Sequence, residues 1–246
     1  MTSTHAPAAP PRSLVGLWAH PDDESYLSAG LMDRVLRAGG RVTVVTLSDG
    51  EAGFPDDDPR SVEQRRCLRR TELRSAMAAI GVTDVRFVGL PDVGLADIGT
   101  DVLRAAFREV LAELRPEVTV TFGPDGITGH DDHVVTSYAA TEAWQELALP
   151  GGQLWYAAKT HGWLDEWRDL HDRLGVWMTE EPTGVADEDV ALALDLAPGE
   201  LARKRAALAA HASQSGPVAA AMGEATYRRW IGQEAFRLPM PTGARS

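Results

Sequence analysis

Two clusters carry the chemistry of this chain: Ala19-His20-Pro21-Asp22-Asp23-Glu24 and, far downstream, Gly129-His130-Asp131-Asp132-His133. Each follows an apolar run that reads as a buried strand, Leu14-Val15-Gly16-Leu17-Trp18 before the first and Val118-Thr119-Val120-Thr121-Phe122 before the second. Imidazoles and carboxylates gathered at strand ends are costly to bury unless a cation or hydrogen bonds satisfy them. Two such strand ends therefore predict one divalent-metal site with three protein ligands and a position for water, whose pKa falls from about 15.7 to about 7 in such sites.

His20 and Asp23, three residues apart, can point at one ion from a tight turn or first helical turn, and His133 supplies the third ligand. Asp22 cannot share the inner shell with Asp23 without strain, which makes it the candidate general base. His130, one helical turn before His133, faces the same cavity without ligating. There it would stabilise the oxyanion formed at a carbonyl and protonate a leaving nitrogen. Asp132 is placed to hold the His130 imidazole, and together with Asp131 to keep its pKa above the free value of about 6.5. Glu24 opens the following helix, where the macrodipole favours a carboxylate, so capping and support of the site explain it equally.

These clusters need rigid elements beneath them. Apolar runs at Leu14–Ala19, Val42–Leu47, Val85–Leu90 and Val118–Phe122 alternate with helical periodicity near Tyr26–Ala38, Val62–Ile80, Val102–Leu114 and Val134–Leu147. That is a repeating βα pattern, so the fold class is α/β with a mostly parallel sheet and right-handed crossovers. The turns Ser48–Gly53, Pro91–Gly94 and Gly123–Gly126 all follow strand carboxyl ends, where open α/β sheets bind ligands. Glu51, Arg69, Arg70 and Asp92 lie on or near those loops as candidate contacts to sugar hydroxyls, although ion pairing and capping account for them almost as well. The later third is less regular, with strands expected at Leu154–Ala158 and Val190–Leu194. Trp155, Trp163, Trp167, Trp177 and Trp230 concentrate there; core filling is favoured over a sugar-stacking wall. His5, His161 and His171 read as surface residues, and His211 as either a core histidine or a neighbour of the site. The run Pro55–Pro59 reads as a solvated acidic loop.

With 246 residues and no internal repeat or linker, one domain is expected over 13–238, with tails at 1–12 and 239–246 rich in small residues and proline. The net charge of -12 excludes a general attraction to nucleic acid or anionic membrane. The single cysteine, Cys67, excludes an internal disulfide and a thiolate zinc cluster. No run approaches the roughly 20 apolar residues of a membrane span, and Met1–Arg12 lacks a signal peptide's hydrophobic core, so no membrane insertion and a cytoplasmic location are expected. The first strand is followed by His-Pro-Asp-Asp-Glu rather than Gly-x-Gly-x-x-Gly, which argues against a nicotinamide cofactor. Oligomeric state has no signature in the sequence.

The two clusters closely resemble the paired signatures of the LmbE-like (PIG-L) family of zinc-dependent N-deacetylases. Further similarities are Thr46–Gly53, Arg69-Arg70-Thr71-Glu72-Leu73, Gly89-Leu90-Pro91-Asp92, and Lys204 through His211-Ala212-Ser213-Gln214. One departure is Asp131, where the second signature usually has proline. The resemblance implies a Rossmann-like three-layer α/β/α fold, Zn2+ held by His20, Asp23 and His133 with Asp22 as base and His130 as acid, and small-molecule substrates bearing an acetamido sugar. Fe2+ is an alternative, since imidazole and carboxylate ligands accept both ions. The leading expectation is hydrolysis of the N-acetyl group of an amino sugar or conjugate. An amidase for a larger N-acyl or thiol-conjugate amide is the second, and a carbohydrate-binding relative without catalysis the third; a pure binder, however, needs neither Asp22 nor His130.

Overall fold

Strands that are buried on both faces should read as largely apolar runs, and the first, second and fourth do, whereas the third is a half-buried edge strand. The computed structural model describes residues 9–92, 94–177 and 181–240. His5, Val93 of the Pro91–Gly94 turn, most of the N-terminal tail and the last six residues lie outside the described residues. In chain order the elements are β1 (Ser13–Trp18), α1 (Asp23–Leu27), α2 (Ala29–Arg37), β2 (Arg41–Ser48), α3 (Val62–Ile80), β3 (Asp84–Leu90), α4 (Leu95–Ile98), α5 (Thr100–Leu114), β4 (Val118–Phe122) and α6 (Asp131–Leu147). There follow β5 (Gln153–Ala158), α7 (His161–Leu174), β6 (Leu192–Asp195), α8 (Pro198–Ala210), α9 (Ala212–Met222), α10 (Glu224–Trp230) and β7 (Gln233–Arg237).

All seven strands join one sheet in the order β3-β2-β1-β4-β5-β7-β6. The first five are parallel, whereas β7 runs antiparallel to both β5 and β6. Right-handed crossovers from β1 leftward through α2 and α3, and rightward through α5 and α6, put helices on both faces of the sheet. Consistent with this, α5 packs on α6 while α2 and α3 pack on α8. The result is a three-layer α/β/α fold. The strand order reverses between β1 and β4, which pair in parallel with Leu14 opposite Val118, and that switch point is where both His/Asp clusters emerge.

The helix expected over Tyr26–Ala38 is two helices, because the chain leaves helical geometry at Ser28, with φ -145° and ψ 8°. The cause lies far away in sequence. Glu234 of β7 accepts from the backbone N–H groups of Gly30 (2.7 Å) and Leu31 (2.9 Å), so a buried carboxylate caps the start of α2. Lys204 of α8 pairs with the same carboxylate at 2.7 Å. The strand β7 went unread because Gln233-Glu234-Ala235-Phe236-Arg237 alternates and its polar members look like loop. The strand expected at Val190–Leu194 is displaced to Leu192–Asp195 as the outer edge.

A second hydrophobic cluster explains four of the five tryptophans of the later third: Trp163, Trp167, Leu170, Leu208, Tyr227 and Ile231 are buried there, with Trp177 and Trp230 packed against them, whereas Trp155 packs against the main core. His161 is exposed as expected, but His171 is 1% exposed rather than a surface residue. The α7 face that carries Trp163, Trp167 and Leu170 also carries His171, whose Nε2 accepts from the Trp230 indole N–H at 2.9 Å. Burial first, and then Lys159, depress its pKa to about 4, with Arg168 adding to the effect and Glu181 and Asp172 opposing it. An unfolded histidine titrates near 6.5. The unfolded state thus binds the extra proton between about 6.5 and 4, and the fold loses stability as pH falls through that window. We expect His171→Phe to flatten this part of the stability-versus-pH curve, measured by urea unfolding at several pH values. A wild-type slope in the variant would assign the dependence to other groups.

Candidate metal centre

The carboxyl end of β1 delivers His20, then Pro21, then Asp22 in a conformation that L residues rarely adopt, φ 132°. Such strain persists only where the surroundings over-determine it, and functional sites are where it gathers. Here three contacts hold it. The Asp22 N–H donates to Glu24 Oε2 at 3.0 Å, Arg69 Nη2 lies 3.3 Å from Asp22 Oδ2, and the same guanidinium donates to the Pro21 carbonyl. The turn returns the chain so that the His20 N–H donates to Asp23 Oδ2 at 2.8 Å, fixing the first residue of α1 against the strand end.

From β4 the loop passes Gly126, at φ 66°, where a Cβ would stand 2.9 Å from the His133 Cβ. Only glycine lets the loop pass so close, and the Gly126 carbonyl accepts from His133 Nδ1 at 2.9 Å. That bond fixes the tautomer: the proton is on Nδ1, and the Nε2 lone pair faces inward. His133 Nε2 stands 3.2 Å from His20 Nδ1 and 3.3 Å from Asp23 Oδ1. On the other side of the His20 ring, Nε2 faces Asp132 Oδ2 at 3.4 Å and Asp92 Oδ1 at 3.5 Å, so its proton belongs there. His20 Nδ1 and His133 Nε2 therefore face each other beside a carboxylate, at a distance that a shared proton or a cation would bridge. The donor set is that of a divalent cation with two imidazoles and one carboxylate, and it fits.

Without a cation, the carboxylates around His20 raise its pKa to about 9, so a proton on this ring supplies the positive charge that a bound cation would replace. Burial, then His20 and His130, lower the His133 pKa well below the usual value and keep the ring neutral. Burial also raises the Asp23 carboxyl. His20 is raised against its own burial by Asp132, Asp23, Asp92 and Asp22. A cation between these groups would relieve the desolvation of the carboxylates and the facing of the ring nitrogens together.

His130 is the N-cap of α6, and its Nδ1 accepts from the Asp132 N–H at 3.1 Å. A neutral ring then carries its proton on Nε2. Its centroid lies 5.1 Å from those of His20 and His133, so it stands beside the donor set as the spacing indicated. Two expectations need correction. The Asp132 carboxylate reaches His20 rather than His130, because the first turn of α6 points it across to β1. Burial, followed by His20, lowers the His130 pKa, outweighing Asp132, Asp92 and Asp131.

The candidate sugar contacts are engaged within the protein. One face of α3 presents Arg66, Arg69 and Arg70, at i, i+3 and i+4. Arg66 holds Glu51 at 2.6 Å, Arg70 holds Asp49 through two bonds of 2.7 Å, and Arg69, only 2% exposed, braces Asp22 and lies 3.8 Å from Glu72. Asp92 accepts from Ser48 Oγ (2.6 Å) and the Ala52 N–H (2.8 Å) while facing His20. These residues shape the loops and orient His20. Sequence reasoning left Glu24 and His211 undecided; both are 0% exposed and pair at 3.0 Å, so the junction of α8 and α9 anchors the carboxylate that holds the Asp22 turn. Similarity of Lys204–Gln214 to the family was the available signal.

Comparison with known proteins places these observations in context. Residues 15–144 match the family model described as PIG-L, GlcNAc-PI de-N-acetylase. A 1D-myo-inositol 2-acetamido-2-deoxy-alpha-D-glucopyranoside deacetylase from Rhodococcus jostii is 33% identical over 239 residues, covering 82% of each chain. Among solved structures, the N,N'-diacetylchitobiose deacetylase of Pyrococcus horikoshii superposes with a TM-score of 0.65 at 18% identity, covering 93% of this chain and 84% of its own. The 4-carboxy-2-hydroxymuconate hydratase of Pseudomonas putida gives the same TM-score and identity over 96% of this chain and 99% of its own. The two structural likenesses speak for a shared fold, and a fold that serves both a deacetylase and a hydratase leaves the reaction to the site.

Proposed function

The chain belongs to the PIG-L family, and from that premise we propose that it hydrolyses the N-acetyl group of an amino sugar or a small sugar conjugate, through a divalent ion held by His20, Asp23 and His133. The observation that carries the reading is the convergence of His20 Nδ1 and His133 Nε2, 3.2 Å apart, beside Asp23 and flanked by Asp22 and His130. Zn2+ is the ion we favour, with Fe2+ suited to the same ligands. When bound it would supply Lewis acidity to the amide carbonyl and to a water molecule.

The remaining steps belong to side chains of this chain. Asp22, whose carboxylate is 19% exposed, takes the proton of the attacking water as oxygen bonds to the carbonyl carbon. Arg69 keeps that carboxylate aimed at the donor set. His130, with Nδ1 occupied by the α6 backbone, offers its Nε2–H as a hydrogen bond to the carbonyl oxygen as charge develops, and the proton that Asp22 took from water passes to the nitrogen as the C–N bond breaks. Acetate and a free amine leave. Asp132 and Asp92 hold His20 in the tautomer that presents Nδ1 inward. Residues 13–238 act as one catalytic domain, a reading supported by the single sheet that joins β1 to β7. Among the described residues no helix is long and apolar enough to cross a membrane.

The test is amine release from a panel of N-acetylglucosaminyl-inositol, N-acetylchitooligosaccharides and simple acetanilides by the metal-loaded protein. Turnover of the sugar conjugates above the anilides is the expected result. Absence of amine from every N-acetyl sugar, with the metal in place, would overturn the deacetylase reading.

A further inference from the structure

Beside the metal centre lies a cavity of about 460 Å³ that the reaction above does not use. Asp23 and His133 form part of its wall, so it opens onto the donor set itself. Most of the rest is apolar: Trp163, Trp177, Trp230, Val176, Val218 and Ile231. Cavities of about 300–1,000 Å³ enclose ligands of drug size, so an acetyl group leaves most of this one unfilled.

One cation faces this apolar space. Lys159 follows the last residue of β5, its carbonyl anchored by the Val185 N–H at 2.9 Å, and its Nζ lies 4.3 Å from the centre of the Trp163 ring. No carboxylate among the described residues pairs with it. Glu234, whose field reaches Lys159, is already engaged by Lys204 and by the start of α2. Burial first, and then Lys204, hold the Lys159 pKa down to about 7. An ammonium kept in an apolar cavity without a counter-ion is costly, and an anion of the ligand removes that cost.

We propose that this cavity is a subsite for an apolar substituent of several carbons ending in a carboxylate, with Lys159 pairing the carboxylate and the tryptophans covering the carbon chain. It rests on the amide-hydrolase reading only in placing the substrate's amide at the Asp23–His133 end. The substrate class is thereby narrowed to conjugates that carry an acidic, hydrophobic group within reach of the amide.

The tryptophan wall provides the readout. Metal-loaded protein is titrated with sodium octanoate and with 1-octanol, following tryptophan fluorescence, in the wild type, Lys159→Met and Lys159→Arg. Wild type should bind octanoate at least about tenfold more tightly than the alcohol, as a charge-assisted contact requires. Lys159→Met should reduce that preference to about twofold or less, and Lys159→Arg should retain it. Equal binding of acid and alcohol by the wild type overturns the subsite. A preference that persists in Lys159→Met assigns the carboxylate to the metal ion and overturns the role of Lys159. Should Lys159→Met fail to fold, judged by its circular dichroism, the wild type stripped of metal decides instead: a preference that survives metal removal supports Lys159, and one that vanishes overturns its role. Binding is read without turnover, so failure of amine release would sink the hydrolase reading and leave this result standing.

Discussion

His133→Ala is expected to leave the chain folded but with well under one divalent ion, where the wild type holds about one, and to lower turnover by more than the roughly 10–100-fold typical of losing an outer partner. The imidazole brings one of the two inward-facing ring nitrogens, and its fold contacts are the Nδ1 bond to the Gly126 carbonyl and stacking on Phe122 at 4.2 Å, which an alanine leaves to the surrounding core. Elemental analysis of dialysed protein, beside circular dichroism, checks both halves. Full stoichiometric metal in the variant would remove His133 from the donor set, leaving His130 and Asp132 around His20 as the other group with suitable geometry.

Asp22→Asn should do the opposite: metal retained and turnover reduced about 10²–10⁴-fold, the range expected for loss of a general base. The amide keeps the volume of the carboxylate and still accepts from Arg69, so the turn at φ 132° has no new reason to relax. Its oxygen cannot take a proton from water near neutral pH. Near-parental turnover in the metal-replete variant would transfer the base to another carboxylate, and an Asp22→Asn protein that loses its metal would show that the carboxylate serves the ion rather than the water.

The clusters and their strands were legible because the relevant physics is local. A parallel strand covered on both faces writes itself as an unbroken apolar run, and a helix as a 3.6-residue period. β4 and α3 match their expected bounds, Val118–Phe122 and Val62–Ile80, to the residue. A residue that follows a strand emerges at the sheet's carboxyl end, so two strand ends bearing His and Asp pointed to one site, while the adjacency of β1 and β4 is given by the structure. Asp22 was singled out because two adjacent carboxylates cannot both serve one ion comfortably.

Contacts that span the chain were not legible, because nothing in a short window encodes which distant group will face a side chain. The break at Ser28 depends on Glu234, some two hundred residues away, reaching the N–H groups of Gly30 and Leu31. Whether Asp132 turns to His130 or His20 is decided by the angle at which α6 leaves β4, and the structure turns it to His20. The arginines of α3 read as possible sugar contacts until the helix is laid against the β1 and β2 loops, where Glu51, Asp49 and Asp22 claim them. His171 and Lys159 show the same division. Residue type and position in the chain gave one a surface reading and the other none, whereas the packing of α7 and α10 on the end of the sheet buries the first and sets the second over Trp163 in a mostly apolar cavity, with no carboxylate partner among the described residues. The sequence by itself determined the α/β pattern and the residues able to hold a cation; only tertiary packing decided which carboxylate meets which imidazole, since desolvation and pairing act through space and not along the chain.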